Sequence, residues 1–163
     1  MNNIVHPLAP VFDKDSRILI LGTMPSPKSR EYGFYYMHPQ NRFWRVMESL
    51  FSQEIPNDND EKRKWLLSHR IALWDVLKSC DIDNASDSSI KNPIVNDFEE
   101  IFKTAKIEKV FATGKKSAQL YNKYSKWAEE YPITALLSTS PANCRYSFED
   151  IVNNYSEILK YTY

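Results

Sequence analysis

Arg17-Ile18-Leu19-Ile20-Leu21-Gly22 is the stretch whose reading decides the fold. Its aliphatic residues follow one another without a polar break, and a glycine ends the run. An apolar run that does not alternate fits a strand covered on both faces. Further strands are expected at Ile71 to Val76, Ile107 to Ala112 and Ile133 to Leu137. Between them the apolar residues recur at helical spacing. Helices are expected from Asn41 through Phe51, Asn59 to Ser68, Asp97 to Ala105, Gly114 to Trp127 and Ser147 to Tyr161. Ser147 suits the N-cap of the last, with Asp150 at N3 as a weak capping-box variant. Asp81 to Ser89 is polar and reads as a loop. Strands alternating with helices predict an α/β fold, a three-layer α/β/α sandwich around a short, mainly parallel four-stranded sheet.

The chain of 163 residues fits one domain spanning 1–163. Lys+Arg and Asp+Glu balance at 21 each. This counts mildly against nucleic-acid binding, although a local basic strip is enough for phosphate contacts. Cys80 and Cys144 have no zinc-like spacing and give no disulfide framework, so no metal is expected. Met1 to Pro10 lacks the basic and apolar regions of a signal peptide. No apolar run approaches the ~18 residues that would span a membrane. A cytoplasmic monomer without membrane contact is the expectation.

In open α/β sheets, ligands bind outside the carboxyl ends of the strands. That rule selects the loops 22–40, 113–115 and 138–146. The first begins Gly22-Thr23-Met24-Pro25-Ser26 and continues Gly33-Phe34-Tyr35-Tyr36-Met37-His38-Pro39-Gln40-Asn41-Arg42-Phe43-Trp44. Gly22 permits a tight turn and close approach to a ligand, and Pro25 stiffens it. The aromatics offer flat faces for a base. Asn41 offers an amide for a base edge or a water. The third loop carries Ser138-Thr139-Ser140-Pro141-Ala142-Asn143-Cys144-Arg145-Tyr146-Ser147.

A strand followed by G-x-x-P-S and an aromatic stretch ending in H-P-x-N-R-F-W resembles the mismatch-specific uracil/thymine branch of the uracil-DNA glycosylase superfamily. GFYYMHPQNRFWRV together with STSPANCRYS resembles the hypoxanthine-DNA (deoxyinosine) glycosylase branch more closely. The resemblance runs from Arg17 to Leu159 in element order. It implies base excision repair: a deaminated base, hypoxanthine favoured, is flipped from DNA and its N-glycosidic bond hydrolysed without a cofactor. Two departures stand out. The mismatch-specific enzymes carry a catalytic Asn where Met24 stands, and the hypoxanthine branch is thought to use the Asn corresponding to Asn41. Several relatives place His or Asn where Ser140 stands, which is a shorter donor.

The resemblance assigns Asn41 and Ser140 to catalysis. Gly22, Thr23, Met24, Pro25, Tyr36 and His38 are assigned to base binding, with Tyr36 stacking on the base. Ser26, Lys28, Ser29 and Ser138 are candidates for phosphate contacts. Asn143, Cys144 and Arg145 are candidates for the segment that fills the vacated stack, with Arg145 also near phosphate. Neither motif holds an Asp or Glu, so a mechanism weighted to positioning and electrostatics is expected. A uracil remover and a non-catalytic binder of damaged nucleic acid are the alternatives.

Simpler roles compete for several residues. Asn41 can cap a helix, and His38 can merely fix its loop. Of Tyr35 and Tyr36, one is expected in the core and one in the pocket. Phe43 and Trp44 are expected in the core. Ala112 to Ser117 mimics the tail of a P-loop but lacks its upstream glycine, so no nucleotide cofactor is expected, and Gly114 is read as allowing close strand-to-helix packing. Lys62 to Lys64 and Lys115-Lys116 are read as solvated faces. His6, His69 and Cys80 carry no signal beyond core or surface.

Overall fold

A computed structural model of the chain describes residues 2–83 and 86–162. In chain order the elements are β1 (Asn2–Val5), β2 (Ile18–Gly22), α1 (Pro27–Tyr32), α2 (Phe43–Phe51), α3 (Asn59–Ser68), β3 (Ile71–Asp75), β4 (Leu77–Ile82), β5 (Lys91–Val95), α4 (Glu99–Thr104), β6 (Lys109–Thr113), α5 (Lys115–Tyr124), β7 (Ile133–Leu136) and α6 (Phe148–Tyr155).

The larger sheet has the order β3-β2-β6-β7 with every pair parallel. β2 lies inside it and all five of its residues are buried. Ile18 and Ile20 enter one apolar cluster, with Phe43, Val46, Met47, Leu66, Ile151 and Tyr155 from α2, α3 and α6. Leu19 and Leu21 enter a second cluster, with Ile101, Phe102, Leu120 and Tyr121 from α4 and α5. Two covered faces explain why the run does not alternate. The three-layer reading holds.

The sequence reading missed a second sheet, antiparallel and ordered β1-β4-β5. β1 and β5 are largely exposed and β5 contains Pro93, so neither carries an apolar pattern. Asp81 and Ile82 belong to β4 and Asp87–Ser89 form a 3₁₀ turn, which corrects the expected loop; its residues 84 and 85 lie outside the described residues. Val76 alone separates β3 from β4, and its N–H donates to the Gly22 carbonyl at 2.8 Å.

Loop 22–40 is not all loop. Ser26 caps α1 by accepting from the Ser29 N–H, Pro27 occupies the first turn, and Gly33 ends it at φ 75°. α2 begins at Phe43 rather than Asn41, because the Asn41 Oδ1 accepts from the Phe43 N–H at 2.9 Å. α5 stops at Tyr124 rather than Trp127; Ser125 turns extended and Trp127 packs on Phe102. The capping box of Ser147 and Asp150 is present, but the α-helix tightens to 3₁₀ over Ser156–Lys160. Lys62 is buried, with its ammonium on the Asn57 carbonyl and over the Trp44 ring, so that lysine run is not wholly solvated.

Candidate active site

The three loops chosen by the carboxyl-end rule meet around a cavity of about 240 Å³. Gly22 to Ser26, Tyr36, His38, Asn41, Ser138 and Ser140 all line it, so both motifs contribute to one site. The expected convergence of Tyr36, Asn41 and Ser140 is observed.

Gly22 is required by its neighbours. A Cβ built there would stand 2.5 Å from Asp75 Oδ1, 3.2 Å from Tyr36 Oη and 3.4 Å from Thr113 Oγ1. These three polar atoms therefore crowd one point at the cavity floor. Tyr36 holds a left-handed backbone at φ 58°, which costs a non-glycine residue on the order of 1 kcal/mol. Two contacts hold it there: its ring stacks on Phe43 at 4.1 Å, and its hydroxyl lies 3.3 Å from Thr113 Oγ1. Burial, then the Asp75 carboxylate, push its phenol far above the ordinary range, against a weaker opposing effect of the Thr113 hydrogen bond. The hydroxyl stays protonated. Tyr35 is buried and donates to the Ala9 carbonyl at 2.7 Å. The division into one core and one pocket tyrosine largely holds, although Tyr35 also reaches the cavity wall.

The mouth is more open. Asn41, His38 and Ser140 are half-buried, and Pro141 and Ala142 are exposed. The Asn41 Oδ1 is held by Phe43, so Nδ2 is the free end of its amide. His38 Nδ1 accepts from the Gln40 N–H at 3.1 Å, so the loop-fixing role is real and coexists with the site. The Ser140 hydroxyl accepts from the Ala142 N–H at 3.2 Å. Phe43 is fully buried and Trp44 packs against the same core. Gly114 lies at φ 117°, and a Cβ there would meet the Ser138 side chain at 3.3 Å, so its close neighbour is loop 138–146 rather than a strand-to-helix contact.

Arg42, which sequence reasoning passed over, joins the two motifs. Its backbone N–H donates to the Thr139 carbonyl, and its guanidinium donates to the carbonyls of Asn143 and Tyr146. The Asn143 amide folds back onto the Ser138 carbonyl at 2.9 Å. Asn143 thereby braces the loop. Cys144 and Arg145 are exposed. Ser29 is buried and accepts from the Met37 N–H at 3.0 Å, which removes it from a phosphate-facing surface. Ser26 caps α1, Lys28 is exposed beside Glu31, and Ser138 accepts from the Ser140 N–H.

Three further residues were missed. Asp75 ends β3 with a buried carboxylate in the cavity, and His6 Nε2 lies 2.7 Å from its Oδ2. An acid closing the apolar run Ile71-Ala72-Leu73-Trp74 was the available signal for Asp75, because it lies at the carboxyl edge. His6 reaches it from 69 positions away and gave none. Thr139 lines the cavity, is fully buried, and its hydroxyl has no partner among the described residues. Leaving a buried hydroxyl unpaired costs about 1–3 kcal/mol, so a polar group entering the cavity would relieve it.

Fold and site together define an α/β protein with an enclosed, polar-floored cleft at the carboxyl edge of a parallel sheet. The chain belongs to the uracil DNA glycosylase superfamily, whose family model matches residues 9–160. It is 34% identical over 153 residues to a hypoxanthine DNA glycosylase of Methanosarcina barkeri, covering 93% of this chain and 95% of that one. It is 33% identical over 139 residues to a hypoxanthine DNA glycosylase of Methanosarcina acetivorans, covering 84% and 87%. A solution NMR structure of a Methanosarcina acetivorans protein provisionally named a uracil DNA glycosylase superposes with a TM-score of 0.77, at 28% identity, covering 94% and 98%.

Proposed function

We propose that the protein is a DNA glycosylase that extrudes a deaminated base, hypoxanthine by preference, and hydrolyses its N-glycosidic bond. The relatives' names support the activity. The observation that carries it is the convergence of both motifs on one cavity with a polar, buried floor and an open mouth.

The buried Asp75 on one side of the cavity and the exposed Pro141 and Ala142 on the other orient the substrate. An extruded base enters with its pairing edge toward Asp75, Tyr36 and Thr113, and its sugar stays at the mouth near Asn41 and Ser140. Cleavage builds positive charge on the sugar and negative charge on the base, as in glycoside hydrolysis. In the Tyr36–Thr113 hydrogen bond one hydroxyl spends its proton on the other, so that pair offers one O–H, and with the Thr139 hydroxyl and the Nδ2 of Asn41 it receives the charge on the departing base. Preorganised donors suit a site whose motifs carry no acid. Ser140 holds the turn at the mouth and, with Asn41, borders the bond that breaks.

A groove runs from the mouth past Gly114, Lys115, Asn143 and Arg145. Its two cations, Lys115 and Arg145, stand with one acid, Asp87, and they suit the phosphates of the strand beside the extruded nucleotide. In this reading the chain works as one domain, as a monomer, without a nucleotide cofactor, in the cytoplasm. No helix among the described residues is long and apolar enough to cross a membrane.

The test is release of base from duplexes carrying a single inosine, uracil or xanthine, followed by alkali. Strand nicking at inosine is the expected result. Tight binding to these duplexes with no base released would overturn the catalytic reading in favour of a damage binder.

A further inference from the structure

Neither motif contains Asp75, which lines the cavity, or His6, which stands behind it. His6 and Asp75 have side chains 2% and 4% exposed. His6 Nδ1 accepts the Leu8 N–H at 3.2 Å, so that nitrogen carries no proton. A neutral imidazole then carries its proton on Nε2. Nε2–H donates to Asp75 Oδ2 at 2.7 Å. The carboxylate is thus clamped by one oxygen, and its other oxygen, Oδ1, lies against Gly22 at the floor.

We propose that His6 fixes Asp75 Oδ1 as an obligate acceptor that reads the N–H of a lactam edge, making this pair the specificity determinant of the site. This rests on the glycosylase reading. Deaminated bases share an N–H beside a carbonyl: N1–H and O6 in hypoxanthine and xanthine, N3–H and O4 in uracil. Adenine and cytosine present a bare ring nitrogen beside an amino group. A fixed acceptor welcomes the first pattern and meets the second with lone pair against lone pair. The neighbouring hydroxyls of Tyr36 and Thr113 suit the adjacent carbonyl. Guanine carries the same lactam edge with an added amino group, so its exclusion does not rest on Asp75. An acceptor at this edge opposes negative charge on the leaving base, which is why the other donors are needed.

The clamp makes a sharp test. In Asp75→Asn, the His6 Nε2–H still needs an acceptor. The new amide must turn its oxygen to His6 and its NH₂ to the base. The floor changes from acceptor to donor. Release of hypoxanthine should fall by about a hundredfold or more, and the ratio of inosine to adenine activity should fall with it. His6→Gln can donate or accept, so adding it to Asp75→Asn frees the amide to rotate. The double variant should regain at least about tenfold on inosine relative to Asp75→Asn alone.

Thermal denaturation confirms that each variant is folded. Should Asp75→Asn be poorly folded, Asp75→Ala, which removes the acceptor, should lose the preference for inosine over adenine duplexes in binding; a preference equal to that of the wild-type protein overturns the clamp. If the wild-type protein releases base but Asp75→Asn matches it, or the double variant recovers nothing, the clamp is overturned and the glycosylase reading survives. If the wild-type protein releases no base, the glycosylase reading fails. Relative binding of inosine and adenine duplexes by the same variants then still decides the clamp.

Discussion

Thr139 and Ser140 are neighbours in the chain with opposite surroundings. Ser140 spends its hydroxyl on the Ala142 N–H, while that of Thr139 is buried without a partner among the described residues. Thr139→Val keeps the shape and removes the unpaired group. Its melting temperature should hold or rise, because an unsatisfied buried hydroxyl is a liability. Base release should nevertheless fall by about tenfold, the value of one donor at a charged leaving group. Unchanged turnover would place the hydroxyl outside the reaction. Asn41→Ala should cut turnover far more than DNA binding, with a modest loss of stability from the broken Phe43 contact; equal turnover would remove Asn41 from the chemistry. Much of this was legible beforehand. Gly22, Tyr36, Asn41 and Ser140 announce themselves by residue type within two short segments. Asp75 was half legible, as an acid in an otherwise apolar strand. His6 and Thr139 were not, because their meaning lies in a long-range partner and in the lack of one.

The elements carry the coupling between the motifs. Arg42 ties the start of α2 to loop 138–146 by three hydrogen bonds, one from its backbone and two from its guanidinium. Arg42→Ala should loosen that loop without unfolding the sheet. Trypsin cutting after the exposed Arg145 should accelerate several-fold while the melting temperature changes by only a few degrees. Protection equal to that of the wild-type protein would show that other contacts hold the loop. The parallel sheet was readable because each of its strands is an apolar run of the right length. The second sheet was not: β1 and β5 have little buried surface to pattern, and β4 follows β3 after one residue, so the two merge in the sequence. Missing α1 was avoidable, because Ser26, Pro27 and Gly33 are the start and stop signals of a short helix.

For the whole molecule, two dependences on solution conditions follow. Burial raises the phenols of Tyr35, Tyr36, Tyr121 and Tyr155 above their ordinary value. In the unfolded chain these phenols ionise near pH 10, while in the folded protein they do not. The unfolded state then binds fewer protons, so stability is fully present below pH ~10 and falls as pH rises beyond it. Each contributes up to about 1.4 kcal/mol per pH unit. Urea midpoints measured from pH 8 to 11 should be level at first and then drop steeply; a flat profile would refute this. The second dependence is on salt. With the net charge near zero, DNA binding should owe its salt slope to few contacts, and Arg145→Ala should lower that slope by about one. An unaltered slope would place Arg145 off the phosphate path.

His6 belongs to the segment that leads out of β1, an edge strand that adds little to the main core. Trimming the first several residues would leave both motifs in the chain but take away β1 from beside β4 and the imidazole that holds Asp75. On the proposal above, the shortened protein would lose discrimination among nucleobases, a defect visible only when the wrong substrate is offered.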